Sequence, residues 1–240
     1  QAVRAVLTLR FGDEKTLAGL GEVADFTAAL LDKGSASLTR EQVQDRLDQL
    51  KTEMGFHASP GRVDVAITSR REHLADAIRL AADLLRRPAF PADALDEVRR
   101  QALTAIESQR KEPEALAENM LGRIGNPYPR GDVRRVRTFD EMVQDVNAVS
   151  LEKIRDFHQR FYGAARGEFA AAGDLDPVAV RAALQEGFGD WNAGAPYVRV
   201  AHPFVAPVPQ RQVIVTLTEQ GRALRERAAQ VPVDVFCAMG

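Results

Sequence analysis

Apolar and polar positions alternate at a few places along this chain and recur every third or fourth position over much of the rest. Residues 62–69 (R-V-D-V-A-I-T-S) alternate cleanly, with Val63, Val65 and Ile67 on one face and Asp64 and Thr68 on the other. They follow a second extended stretch, 54–58, across the turn Ser59-Pro60-Gly61, so the pair reads as a hairpin. Residues 3–11 (VRAVLTLRF) are rich in Val and Leu and predict a strand, as do residues 166–172. The helical period appears next in Leu20, Val23, Phe26, Thr27, Leu30 and Leu31, giving a helix that runs to Lys33. Gly34 then suits the left-handed position after its end. Thr39-Arg40-Glu41-Gln42 has the form of a capping box, and Val43, Leu47 and Leu50 carry the stripe of the helix it opens.

Further helices are predicted over 72–86, over 92–110 after Phe90-Pro91, and from Pro113 to 124. A short helix follows Thr138, Ser150 caps one to Phe161, and Asp176-Pro177 caps one to about Phe188. Long helices separating few strands, with an antiparallel hairpin, predict an α+β fold: a mainly antiparallel sheet with helices packed on one face. This domain covers residues 1–195. Residues 196–240 read as a linker with Pro196, Pro203, Pro207 and Pro209, followed by a strand over 212–217 and a helix over 219–229.

Composition changes this picture little. The chain has 240 residues, 45% hydrophobic and 28% charged, which is ordinary for a globular protein. A formal net charge of −2 gives no electrostatic reason to expect nucleic acid or an anionic membrane as partner, and no apolar run is long enough to span a bilayer. Twenty-seven Arg against five Lys points to a GC-rich bacterial genome. Cys237 is the single cysteine, which rules out an internal disulfide or a cysteine-based metal site. The chain opens inside a strand without an initiator Met and reads as part of something longer. Its compartment is therefore open between the bacterial cell envelope or periplasm and the cytoplasm.

Candidate chemistry is sparse. His57, His73, His158 and His202 are not paired at helical spacing, and no H-x-x-E-H or H-E-x-x-H string occurs. A zinc hydrolase needs ligands converging at about 2.0–2.2 Å on one ion. There is no G-x-S-x-G elbow, and Gly19-Leu20-Gly21 lacks the surroundings of a phosphate loop. Arg130-Gly131-Asp132 lies in the loop 126–132 and reads as loop rather than adhesion motif. Read alone, the residues name no catalytic site.

Several ordered strings nevertheless resemble the pitrilysin/insulinase family of zinc metallopeptidases, which includes the mitochondrial processing peptidase. They are residues 7–15 (LTLRFGDEK), the helix end Leu30-Leu31-Asp32-Lys33-Gly34-Ser35, Pro88-Ala89-Phe90-Pro91, and Phe157-His158-Gln159-Arg160-Phe161-Tyr162-Gly163 with Gly173-Asp174-Leu175-Asp176. The resemblance covers about residues 3–195. Active members carry H-x-x-E-H just before a segment like M-L-F-K-G-T; two His hold zinc and the Glu serves as general base. Matching Lys33-Gly34-Ser35 to that segment places the three functions on Asp25, Ala28 and Ala29. The third ligand, a later Glu, falls near Thr104 or Ala105.

The resemblance therefore implies a half with no catalytic and no metal-binding residue, zinc belonging to an active partner. Its role would be scaffold and chamber wall for a catalytic half of the same family, around a peptide substrate whose contact residues here are unknown. Two alternatives remain open. One is an active zinc peptidase with other ligands. The other is a DNA-binding regulator fragment, because residues 210–224 resemble the wing strand and helix of MarR-type regulators.

Overall fold

The fold is that of a computed structural model, which describes residues 2–192 and 194–202. The expected 212–217 strand, the 219–229 helix, the wing-like stretch, Cys237 and most of the Pro-rich segment lie outside the described residues.

Among the described residues four strands form one sheet: β1 (Ala2–Arg10), β2 (Glu53–Ser59), β3 (Arg62–Arg70) and β4 (Gly167–Ala172). Their order is β2-β3-β1-β4, and each neighbouring pair is antiparallel. Register follows the alternation predicted for 62–69. Ala5 opposes Ile67, Leu7 opposes Val65 and Leu9 opposes Val63. All six side chains are buried on one face of the sheet. The opposite face presents Arg4, Val6, Ala66 and Ala170 to solvent.

The described residues add eight α-helices: α1 (Gly21–Ala29), α2 (Arg40–Gln49), α3 (Leu74–Arg86), α4 (Ala92–Gln109), α5 (Pro113–Ile124), α6 (Phe139–Ala148), α7 (Leu151–Phe161) and α8 (Pro177–Phe188). The expected α+β architecture, with an antiparallel sheet, is what the chain adopts. Within it α1 packs on β2 and α3 on β3, while α7 lies against α1 and α8 against α3. The approach of α8 is close enough that a side chain at Gly187 would sit 2.7 Å from Ala82 Cβ. An aromatic group closes one end of the core. Phe11 stacks on Tyr162 and meets Phe157 and Phe161, all within 5.8 Å between ring centres.

Local chemistry explains where helices begin. Thr39 and Gln42 form the reciprocal capping box read from the sequence, and Thr138 and Glu141 form another at α6. The Ser150 hydroxyl accepts the Lys153 amide, and the Asp176 carboxylate accepts those of Val178 and Ala179.

The first helix departs from expectation at both ends. The Asp13 carboxylate accepts the Lys15 and Thr16 amides, holding residues 13–16 in a turn, and Gly19 takes φ +73°. Helix therefore starts only at Gly21. At the other end the Leu30 amide is shared between the Phe26 and Thr27 carbonyls, and a single 3-10 turn covers Leu31–Lys33. Gly34 follows with φ 124° and ψ 165°, a positive-φ conformation open to glycine but not the left-handed helical one expected. The difference arises because Gly34 bridges to Thr39, leading the chain straight into α2.

Candidate functional site

The N-terminal half of α1 forms one wall of a cavity of about 290 Å³. The β2–β3 turn at Ser59-Pro60-Gly61, the loop from Arg130 to Arg137, α6 and the start of α7 supply the others. Phe11, Leu17, Leu20, Val23 and Val133 give it an apolar lining.

The loop is shaped by its own hydrogen bonds. Asn126 Nδ2 donates to the Arg134 carbonyl at 2.9 Å, and Arg135 donates to the Tyr128 carbonyl at 3.0 Å. Arg134 anchors it to the body through ion pairs to Asp132 (2.7 Å) and Glu14 (2.6 Å), with its guanidinium 4.1 Å from the centre of the Tyr128 ring. The Gly19 amide adds a bond to the Gly131 carbonyl at 2.7 Å. Asp132 is thus held internally, and Arg130 pairs with Glu141 and Asp145 at 3.2 Å each. The Arg-Gly-Asp tripeptide is engaged with its own chain, as the loop reading expects.

Further arginines and acids around the cavity are cross-linked. Arg137 reaches Glu22 at 2.6 Å and Asp145 at 3.2 Å, and Arg135 reaches Glu141 at 3.0 Å. Bonds from the Thr138 amide and from Arg135 hold the Glu141 carboxyl down at about 2. Asp25 behaves differently. Among the described residues it has no hydrogen bond and no ion pair. Asp25 is an exposed residue whose carboxyl opens to the cavity, and the protein packed around its base together with the charge of Glu22 pushes that carboxyl up to about 6, against the pull of Arg137. Behind it, Tyr162 is buried with no partner for its hydroxyl among the described residues, and burial together with the Asp25 charge disfavours its ionisation.

The positions matched to the peptidase motif do not gather into a centre. Asp25, Ala28 and Ala29 share α1 at i, i+3 and i+4, but only Asp25 lines the cavity. Ala28 is 3% exposed within the core, and Ala29 is half-buried. Thr104 and Ala105 are exposed on α4, in a shallow groove with Glu97, Gln101 and Ser108. Their neighbours that turn inward, Ala102, Leu103 and Ile106, are apolar, and the nearest carboxylate, Glu107, is exposed and faces Arg110 at 3.6 Å.

One carboxylate and two methyl groups do not fit a zinc ion, which needs three protein ligands at a catalytic site. Among the described residues no three His, Cys, Asp or Glu side chains come together to hold a metal. His57 is exposed on β2, and His73 sits at the start of α3. His158 lies with Nε2 2.7 Å from the Leu85 carbonyl oxygen, and burial keeps its pKa low. The sequence reading missed the cavity and its ion pairs. The only signal was the density of arginine at positions 130, 134, 135 and 137.

Comparison with known proteins bears on this site. The profile of a family described as peptidase M16 inactive domain matches residues 148–227, a span that runs through the wing-like stretch 210–224. No curated protein matches the chain by sequence. Among solved structures, a peptidase M16 inactive domain from Pseudomonas fluorescens superposes with a TM-score of 0.70 at 21% identity. A protease from Helicobacter pylori gives 0.67 at 12%. Each comparison covers 85% of this chain and 48% of the other, so the chain spans about half the length of these relatives. The ferredoxin protease FusC, solved as a point mutant in complex with Arabidopsis ferredoxin, gives 0.60 at 13% identity, covering 82% of this chain and 21% of that one. At these identities the structures show the shared fold. The profile adds a likeness to the peptidase M16 inactive domain over residues 148–227.

Proposed function

We propose that this chain is a non-catalytic half of a peptidase of this kind, forming a scaffold and one wall of a peptide-holding chamber for an active partner. In this reading the partner carries H-x-x-E-H and the zinc, and this chain needs neither. One observation carries the proposal: α1 stands folded and packed where the motif helix is expected, yet its three matched positions offer a carboxylate and two methyl groups, one of them buried. Such a helix can support a chamber but cannot activate water on a metal. The FusC structure, a protease of similar fold in complex with ferredoxin, supports a polypeptide as what such a protein handles.

Two measurements test the proposal together. After dialysis against micromolar zinc the purified chain should retain well under one equivalent, and adding it to an H-x-x-E-H-bearing half from the same genome should raise that partner's peptide hydrolysis several-fold. One equivalent of tightly held zinc overturns the reading and makes His57, His73 and His158 the ligands to replace.

A further inference from the structure

β4 closes one side of the sheet, and among the described residues no strand lies beyond it. Its sequence, GEFAAA, contains no proline or lysine, and its register with β1 runs without a bulge, so the usual protections of an edge are missing. The register also shows which of its backbone groups point outward. Arg10 stands opposite Arg166, next in line after the Leu9–Gly167 pair, and its amide donates to the Arg166 carbonyl at 3.2 Å. In an antiparallel pair such bonds recur at every second residue, so positions 166, 168, 170 and 172 bond to β1. The N–H and C=O groups of Phe169 and Ala171 therefore point away from the sheet. The Gly167 amide is already occupied, donating to the Ala164 carbonyl at 2.9 Å. Side chains add a second signal. Phe169 and Ala171 lie on the core face and pack against the core, yet both stay half-buried at the open side. Arg166, just before the strand, has no ion pair among the described residues, and Asp174, just after it, is half exposed beside Arg71.

We infer that β4 pairs with β4 of a second copy of this chain, antiparallel and centred on Ala170, so that one sheet runs through both copies. This register sets Phe169 opposite the second copy's Ala171, and Ala171 opposite its Phe169, so the outward N–H and C=O of both residues find partners. On the core face each Phe169 ring gains an alanine methyl beside it, and at each end Arg166 comes opposite the second copy's Asp174. Ala170 faces its own counterpart in a pair without hydrogen bonds. Moving the centre by one residue is worse in either direction. A centre at Phe169 needs the Gly167 amide, which Ala164 holds, and a centre at Ala171 sets Glu168 opposite Asp174, two like charges. The shared strand is short, far below the roughly 1,200 Å² of a stable interface, so the dimer is weak, with a Kd on the order of 100 µM. It leaves the candidate site free, because α1 packs on β2 at the opposite edge of the sheet.

The test has two arms, both on the full chain. Sedimentation equilibrium up to about 300 µM should show a reversible monomer–dimer equilibrium, and Ala171→Pro should weaken it about tenfold or more. That substitution removes an outward N–H and no bond to β1, a place where a strand tolerates proline. The second arm is cross-linking by diamide in a Cys237→Ser background. Ala170→Cys should form a disulfide-linked dimer, because paired residues without hydrogen bonds lie about 4.5 Å apart between Cα atoms, within disulfide reach. Glu168→Cys, whose counterpart in the second copy is several residues away, should not. A wild-type chain that stays monomeric overturns the inference, as does a dimer that a folded Ala171→Pro variant retains in full. If a thermal melt shows that this variant does not fold, the two cysteine variants decide: cross-linking of Ala170→Cys alone supports the register, and equal cross-linking or none overturns it. Zinc content and stimulation of a catalytic partner are measured separately, so the chamber-wall proposal and the strand pairing fail independently.

Discussion

Helices α3 and α5 have similar lengths, 13 and 12 residues, but opposite relations to the body of the protein. Of the residues in α3, eight are buried, including Leu74, Ile78, Leu84 and Leu85, against the sheet on one side and α8 on the other. None of α5 is buried, and Leu116, Met120, Leu121 and Ile124 stand 39–64% exposed. Its described attachment is polar and light: Asn119 Nδ2 donates to the Arg137 carbonyl at 2.8 Å, and Gly122 leaves room for Val136. The loop after α5 is held in turn by the arginine ion pairs of the cavity wall. One side of the molecule is held by apolar burial, the other by ion pairs and hydrogen bonds. The second kind of attachment is weaker per contact and is screened by salt. The cavity lies where the two sides meet.

The sharpest way to break this contrast is to cut a leucine from each helix. Leu85→Ala should cost about 2–5 kcal/mol of unfolding free energy, because it opens a void in a packed core. Leu121→Ala should stay within about 0.5 kcal/mol. Urea unfolding of both variants measures the difference, and equal losses would show that α5 is packed after all.

A smaller effect comes from the cap that joins loop to body. Thr138→Ala should cost about 1 kcal/mol, and amide exchange should quicken over 126–145 while α3 stays protected. Uniform acceleration would mean that the two regions open as one.

The smallest effect is on pH dependence, and it has two signs. Asp25 has a folded-state pKa above its ordinary 3.8, so the folded chain binds more protons between that value and about 6. Its contribution to stability therefore falls as pH rises through this window, and Asp25→Asn should give a slight rise in Tm at pH 7.5 and none at pH 3.5. Glu141 runs the other way: held at about 2, it contributes stability above its ordinary 4.5 that is lost as pH falls toward 2. Glu141→Gln should thus weaken the fold at neutral pH and leave it unchanged near pH 2.

How much of this was legible in the sequence follows the same division. The packed side could be read from period and caps. Val63, Val65 and Ile67 are buried as their alternation requires, and Thr39 with Gln42 closes the capping box their spacing announces. These signals are local, lying within about one turn of helix or a few residues of strand. The start of α1 at Gly21 was not legible, because Leu20 and Val23 keep the helical period while Gly19 breaks the helix through its backbone alone. The cavity was less legible still. Its defining contacts join Glu22 to Arg137 and Glu14 to Arg134, pairs that have no periodicity and are set only when α6 and the loop reach α1. The absence of the H-x-x-E-H string could be read directly. That Asp25 has no ion-pair partner among the described residues could not.

The order of strands has a consequence in time. β1 is made first but ends in the interior of the sheet, between β3 and β4. Its partner on one side follows within a few dozen residues, whereas the other, Gly167–Ala172, emerges only after α3 to α7 have been made. At a synthesis rate of roughly 5–20 residues per second, one edge of β1 waits on the order of ten to thirty seconds for its neighbour. During that interval the nascent chain displays the open edge of a Val- and Leu-rich strand, the kind of surface that chaperones cover and that other unfinished chains can pair with.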